Sequence, residues 1–288
     1  MGSNGAAVAE DIGNIVSLEH VNVTVPDQAQ ATLFYIVGLG LTRDPYMMVG
    51  LDNMWANAGE QQFHLPTRGT QVIPGHIGLV MPDLDALKQR LQRIEKPLAG
   101  TRFAWSAEAD HVAATCPWGN RFRIHAPGEA FGPMQLGIPY VEFLVRPGAA
   151  AGVARFYQEI MRVPATLRQD GGVVAIVPAG RGQVLRFRET AEPIPPYDGH
   201  HIAVYIANFS SPYAALEERG LVTEELRNHQ FRFQKIVDPA TGETCTELEH
   251  EVRSLQHPMF ARVLVNRDPA QTAMNYRSGR DSLPWSMT

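Results

Sequence analysis

The chain has little cysteine, no excess of positive charge and no long apolar run, and each absence excludes a class of protein. Its 288 residues include two cysteines, Cys116 and Cys245, which are too few for a disulfide framework and lack the paired spacing of structural zinc sites. The formal net charge of −5 provides no basic surface to attract nucleic acid or an anionic membrane. We therefore expect a small-molecule partner, with no nucleic acid and no membrane.

The N-terminus lacks the features of a targeting segment. Residues 1–16 contain no basic stretch followed by an apolar one, and no apolar run in the chain approaches the roughly 20 residues that a bilayer requires. We predict a flexible N-terminal arm over residues 1–16 and a cytoplasmic protein. With 44% hydrophobic and 19% charged residues, the rest has the composition of a globular protein of one or two domains.

A repeated segment is the most informative feature that is present. An alternating run that opens with histidine occurs at residues 20–27, 76–83 and 201–208, and a fourth copy begins at Tyr140. Alternation predicts a half-buried strand, and the closing Asp or Asn predicts the N-cap of a following helix. Short extended runs separated by glycine-containing turns come after each helix. The sequence therefore predicts four units of strand, helix and about three further strands.

Glycine and proline mark the expected domain boundary. Residues 126–137, between the second and third units, are rich in both. We predict an α+β fold of four tandem βαβββ units in two paired modules, at residues 17–127 and 138–253. Residues 254–288 should form a tail that packs on a neighbouring surface or a partner subunit. Because two-fold symmetry is the commonest form of association, we expect a homodimer.

The units resemble those of the vicinal oxygen chelate superfamily, which includes glyoxalases, extradiol ring-cleaving dioxygenases and bleomycin-resistance proteins. The resemblance depends on the βαβββ order, on the phrase H-x-x-x-x-V-x-D that starts at His20, and on "FY" and "GLGL" in and after the first helix. It covers residues 17 to about 253, and four units in one chain look most like the extradiol enzymes. In that superfamily, metal ligands lie on the first and last strands of paired units.

The resemblance implies eight candidate positions. The first-strand positions are His20, His76, Tyr140 and His201, and the last-strand positions are His64, Arg123, Arg186 and Glu247. The spacings from first to last position are 44, 47, 46 and 46 residues, which supports this register. A slip of two residues would keep the same face of the strand and substitute His125, Arg188 or Glu249.

The first expected site combines His20, His64 and His76 in the N-terminal module. Three neutral imidazoles suit Fe(II), Mn(II), Zn(II), Co(II) or Ni(II), and the likeness to extradiol enzymes favours Fe(II). Arg123 is permanently charged and leaves the fourth position open, where it would neutralise an anionic substrate oxygen. His125 would shuttle a proton, and the alternative is a solvent-facing histidine.

A second, less favoured site combines Tyr140, His201 and Glu247 in the C-terminal module. A neutral tyrosine with its ordinary pKa of about 10 is a poor ligand for a divalent ion. We assign Arg186, which faces this group, and Glu249 to substrate binding. For Glu249 the alternatives are a partner that supports His201 and a solvated edge charge.

The leading interpretation is a divalent-metal-dependent dioxygenase of the extradiol type that acts on a small oxygen-rich molecule, aromatic or carboxylated. Two alternatives stay open. One is a glyoxalase-like lyase or isomerase, in which a nearby base moves a proton. The other is a protein that sequesters a small molecule without metal, in which the histidines and arginines line a polar cavity.

Overall fold

The computed structural model describes residues 11–45, 52–226, 228–262 and 264. Along them the order strand, helix, three strands occurs four times, in agreement with the predicted α+β class. Most of the predicted N-terminal arm and C-terminal tail lies outside the described residues. Within those residues, no helix is both long and apolar enough to cross a membrane.

The elements of the four units are as follows. The first unit contains β1, Ile15–Asn22; α1, Gln28–Ala31, continued by a π-helix, Thr32–Gly38; β2, Thr42–Arg43; β3, Asn53–Ala58; and β4, Gln61–Pro66. The second contains β5, Gly75–Val80; α2, Leu84–Ile94; β6, Ala104–Ala107; β7, Val112–Thr115; and β8, Arg121–His125. The third contains β9, Tyr140–Val145; α3, Ala149–Glu159; β10, Thr166–Gln169; β11, Val173–Pro178; and β12, Val184–Glu189. The fourth contains β13, His201–Ile206; α4, Ser210–Glu217; β14, Val222–Leu226; β15, Gln230–Val237; and β16, Thr244–Ser254.

The helices of the first two units begin where the sequence predicts, after Asp27 and Asp83, whereas the helix of the fourth unit has Phe209 at its N-cap and not Asn208. The Asp83 carboxylate accepts a hydrogen bond from the Ala86 backbone N–H at 2.8 Å, which satisfies one of the free donors at the start of α2. The helix then buries Leu87, Leu91 and Ile94, which the 3.6-residue period places on one side. Local sequence therefore accounts for the start of α2 and for the side it buries.

The strands form two eight-stranded sheets. Sheet 1 has the order β14-β15-β16-β13-β1-β4-β3-β2, and sheet 2 has the order β10-β11-β12-β9-β5-β8-β7-β6. The first unit pairs with the fourth because β1 lies antiparallel to β13, with His20 opposite Ala203. The second unit pairs with the third through β5 and β9, with His76 opposite Glu142.

The predicted pairing of the first unit with the second, and of the third with the fourth, is wrong. Residues 17–127 and 138–253 do not form separate paired modules, because sheet 2 contains the second and third units and sheet 1 joins the first and fourth. The segment 126–137 is not a domain boundary, since it leads from β8 to β9 within one sheet. A backbone hydrogen bond from Val80 N to Gly137 O at 2.9 Å fixes it there.

One side of each sheet packs into a common hydrophobic core. Tyr35 of the π-helix lies 5.3 Å from the ring of Phe63 in sheet 1 and 6.1 Å from that of Phe122 in sheet 2, between ring centroids. Because side chains alternate along a strand, the opposite sides point away from this core. We call these outer sides the polar face of sheet 1, around β1 and β13, and the polar face of sheet 2, around β5 and β9.

The described part of the tail packs against the polar face of sheet 1. The ring of Phe260 lies 5.0 Å from that of Tyr205 on β13, and Arg262 Nη2 lies 2.6 Å from Asp44 Oδ2 in the first unit. Both residues of this ion pair are buried. The chain thus returns to its first unit after completing its fourth.

Candidate metal centre

A β-bulge in β1 brings two functional side chains together. Leu18 pairs with Val204 and His20 pairs with Ala203, so Glu19 is an extra residue between them. Strict alternation would put Glu19 and His20 on opposite sides, and a bulge changes the direction of such a side chain. Here His20 Nδ1 lies 2.8 Å from Glu19 Oε2.

Three histidines converge on the polar face of sheet 1. Asn22 on β1 lies between His201 on β13 and His64 on β4 in the register of the sheet. One ring nitrogen from each of His20, His64 and His201 lies within 4.8 Å of the others. The Nε2 atoms of His20 and His201 are buried and have no hydrogen-bond partner among the residues that the structure describes. Imidazole nitrogens in this arrangement fit a divalent transition-metal ion.

Glu19 sets the orientation of His20. Burial alone would raise the pKa of the Glu19 carboxyl, but the Arg253 guanidinium and His20 hold it well below its ordinary value. The carboxylate pairs with Arg253 and accepts a hydrogen bond from the Tyr205 hydroxyl at 3.3 Å. An ionised Glu19 accepts the Nδ1 proton of His20, which leaves the Nε2 lone pair free for a cation.

The other two histidines are neutral at physiological pH. Burial, together with the nearby His20 and His201, lowers the pKa of His64 to about 2. Burial likewise lowers the pKa of His201 to about 2, with His20 as the next cause. His64 stacks on Trp55 at 3.9 Å, and its Nε2 lies 2.8 Å from Asn53 Oδ1. Neutral imidazole is the form that binds metal.

Glu251 takes the position in the fourth unit that His64 takes in the first unit. Two residues after His20, Asn22 pairs with His64, and two residues after His201, Ala203 pairs with Glu251. Glu251 Oε2 lies 4.0 Å from His201 Nε2. Burial would raise the pKa of this carboxyl, but Arg253, His20 and Arg232 lower it to about 2, so it is an anion beside the histidines.

Neither predicted metal site has the right set of ligands. His76 is not the third histidine, because it lies on β5 in sheet 2. His201, which was assigned to the second site, takes its place. The set of Tyr140, His201 and Glu247 is also wrong, since Tyr140 lies in sheet 2 and Glu247 is exposed. The β16 strand is 11 residues long, so the spacing in the fourth unit is 50 residues, from 201 to 251, and not 46.

Three of the other predicted residues lie away from the histidines, in sheet 2. They are Arg123 and His125 on β8 and Arg186 on β12. Glu249 does lie beside the site, where its Oε1 is 3.5 Å from His201 Nδ1 and is also bound by Arg232. Of the two alternatives stated for Glu249, this position favours the one in which it supports His201.

Three residues of the site were missed: Glu19, Asn22 and Glu251. Asn22 follows His20 by two residues, so strand alternation could have placed it on the same face. Its buried Oδ1 has no hydrogen-bond partner within the described ranges. Predicting Glu251 would have required the register of the long strand β16 against β13. Glu19 had no signal in the sequence, because only the bulge turns it toward His20.

Known structures resemble this chain in fold. No family model matches the sequence, and no curated protein does. Glyoxalase I from Zea mays aligns with a TM-score of 0.57 at 14% identity, over 82% of this chain and 91% of that chain. A Bacillus subtilis protein described as a "putative dioxygenase" aligns with a TM-score of 0.55 at 15% identity, over 84% of this chain and 86% of that chain. The chain has the fold of the vicinal oxygen chelate superfamily, as its motifs predict.

Proposed function

We propose that the protein binds a divalent metal ion through His20, His64 and His201 and acts as a metal-dependent enzyme on a small oxygen-rich molecule. The convergence of three imidazoles carries the proposal, because two of them have a buried Nε2 without a hydrogen-bond partner in the described part of the chain. A buried polar atom without a partner costs about 1–3 kcal/mol, and a bound cation would satisfy both nitrogens.

The charge around the histidines supports a cation. Their neighbours include the carboxylates of Glu19, Glu249 and Glu251 and the guanidiniums of Arg232 and Arg253. Three carboxylates therefore lie beside the histidines, against two guanidiniums. An excess of negative charge in a largely buried site favours a bound cation.

The surrounding residues hold the ligands in place. Glu19 orients His20, while Trp55 and Asn53 fix the ring of His64, so little reorganisation is needed when an ion binds. A divalent ion held by these histidines would supply Lewis acidity to adjacent substrate oxygen atoms, and iron(II) would in addition supply reactivity with molecular oxygen. Three protein ligands leave coordination positions for a substrate.

We favour a dioxygenase of the extradiol type over a glyoxalase-like reaction. Proton transfer from carbon is best served by a base whose pKa lies near the working pH. Glu251 has a pKa of about 2, and the pKa of Glu19 is also held far below its ordinary value. Both carboxylates are engaged by arginine. Neither is suited to abstract a proton at neutral pH.

Metal content tests the site. We expect protein purified without chelators to contain about one metal ion per chain, and His20→Ala and His201→Ala to lose it, because two imidazoles hold a divalent ion weakly. His76→Ala is the matched control, since it removes an imidazole from sheet 2, and it should keep the metal. Loss of metal in the His76 variant but not in the His201 variant would contradict the proposed ligand set. Wild-type protein that contains no metal and takes up none would favour metal-free sequestration.

Oxygen consumption tests the reaction. The iron(II)-loaded protein should consume oxygen with catechols, and the His201→Ala variant should not. An iron-loaded protein that consumes no oxygen, together with a zinc- or nickel-loaded form that isomerises a hemithioacetal, would favour the lyase alternative. The metal content tests the ligand set whichever reaction is found.

A further inference from the structure

The polar face of sheet 2 repeats the geometry of the metal centre with different residues. His76 lies opposite Glu142, two residues after Tyr140, just as His20 lies opposite Ala203, two residues after His201. Arg123 pairs with Gly78 and Arg186 with Glu142, which are the positions that His64 and Glu251 occupy in sheet 1. Two arginines therefore stand where sheet 1 has a metal ligand and a carboxylate.

These two arginines have no carboxylate partner among the described residues. Glu142, the nearest acidic residue in the register, is already bound by Arg188, whose Nε lies 3.0 Å from Glu142 Oε2. Its other oxygen, Oε1, lies 3.5 Å from His76 Nδ1. The Nε atom of Arg186 is buried, and none of the described residues gives it a hydrogen-bond partner. Two half-buried positive charges are thus left uncompensated on one face.

Both guanidiniums meet at Tyr140. The guanidinium carbon of Arg186 lies 4.0 Å from the centroid of the Tyr140 ring. The Tyr140 hydroxyl lies 3.0 Å from His125 Nε2 and close enough to the Arg123 guanidinium to feel its charge. The ring itself lies over Gly78, where a Cβ would overlap it. Stacking on the ring leaves the in-plane N–H donors of Arg186 free, and this is the geometry with which arginine binds carboxylate and phosphate oxygens.

We propose that the polar face of sheet 2 is a binding site for a small oxyanion, a carboxylate or a phosphate group, held between Arg123 and Arg186 beside Tyr140. The site goes beyond the proposed metal function and does not depend on it, because it uses the other sheet. An anion would supply the hydrogen bonds that Arg186 lacks and would neutralise two charges that otherwise repel each other.

The test measures binding of sodium phosphate and of sodium acetate to the full-length protein. Isothermal titration calorimetry and thermal unfolding are run against sodium chloride at equal ionic strength, so that screening is matched. Binding of phosphate alone identifies a phosphate site, and binding of acetate as well identifies a general oxyanion site that includes carboxylates. If wild-type protein binds neither anion, the proposal is overturned.

The variants are Arg186→Met and Arg123→Met, with Arg168→Met as the matched control. Arg168 is exposed on β10 at the edge of the same sheet, so its replacement removes the same charge away from the site. We expect each site variant to weaken anion binding by about 10- to 100-fold, the range for a lost charged hydrogen bond. The control should bind like the wild type. Equal binding in all three variants would overturn the proposal.

A second readout separates an anion site from a structural role. An uncompensated, half-buried guanidinium is destabilising, so in chloride Arg186→Met should unfold at or above the wild-type temperature while its response to phosphate is lost. A lower unfolding temperature with an unchanged phosphate response would indicate a purely structural arginine. If Arg186→Met does not fold, Arg186→Lys keeps the charge without the planar fork and should still bind phosphate more weakly than the wild type. Wild-type affinity in that lysine variant would refute the site.

Discussion

Replacing Glu19 by glutamine should weaken metal binding although Glu19 is not itself a proposed ligand. The carboxylate lies 2.8 Å from Nδ1 of His20 and determines which ring nitrogen carries the proton. Glutamine has nearly the same shape but no charge, and its amide can also donate to Nδ1, which would move the proton to Nε2. That change removes the lone pair that the proposed site requires.

The expected size of the effect follows from the kind of contact. Loss of an outer partner of a metal-binding histidine reduces affinity by about 10- to 100-fold, which corresponds to about 1.4–2.7 kcal/mol. The metal-free protein should also lose about 2 kcal/mol of stability, because Arg253 keeps its contacts with Glu251 but loses its charged partner Glu19. Affinity should therefore be measured where both proteins are fully folded.

The assay is a competition titration of zinc or iron(II) between the protein and a chelator of known affinity. Glu60→Gln is the matched control, because it removes one charge from the exposed hairpin between β3 and β4 of the same sheet. Its affinity should equal that of the wild type. An affinity of the Glu19 variant within two-fold of wild type would refute the role of Glu19 in orienting His20, as would an equal loss in the control.

Further predictions concern the sheets, the acid response, the metal and the assembly. A Cβ at Gly75 would overlap the carbonyl oxygen of Glu142, so Gly75→Ala should lower the free energy of unfolding in urea by more than about 3 kcal/mol. Gly69 lies in open space, so Gly69→Ala should change that free energy little. Equal values for the two variants would contradict the pairing of β5 with β9. The hydrogen bond from Arg155 lowers the pKa of Asp238 to about 2, so its contribution to stability is present above pH 4 and lost toward pH 2. Asp238→Asn should cost about 1 kcal/mol at pH 7 and flatten this acid loss in chemical unfolding curves, and an unchanged acid response would count against the ion pair. Chelation should lower the melting temperature of the wild type but not of His201→Ala, since a ligand at 100 times its dissociation constant adds about 2.7 kcal/mol. Light scattering should give a dimer mass, and a monomer at micromolar concentration would contradict the expected homodimer.

Much of the site could be predicted from single strands. His20 and His64 were predicted because their positions follow from strand alternation and from the spacing within one unit, both of which are local properties. His201 was predicted as a ligand position but assigned to the wrong group. The last-strand position of the fourth unit was predicted at Glu247, four residues before Glu251. The length of β16 is set by its pairing with β15, and no turn signal in the sequence marks it.

The sequence by itself determined the four βαβββ units, the helix starts at Asp27 and Asp83, and the presence of histidine on three first strands. These features depend on periodicity and on contacts between neighbours in the chain. Only the tertiary structure decided which units pair. The four first strands share one alternating pattern, so their edges are equally able to form hydrogen bonds. The choice depends on contacts distant in sequence, such as Glu19 with Arg253, and on the close approach of β9 that Gly75 permits. The same long-range packing turns Glu19 toward His20 and leaves Arg123 and Arg186 on the opposite side of the core from the three histidines.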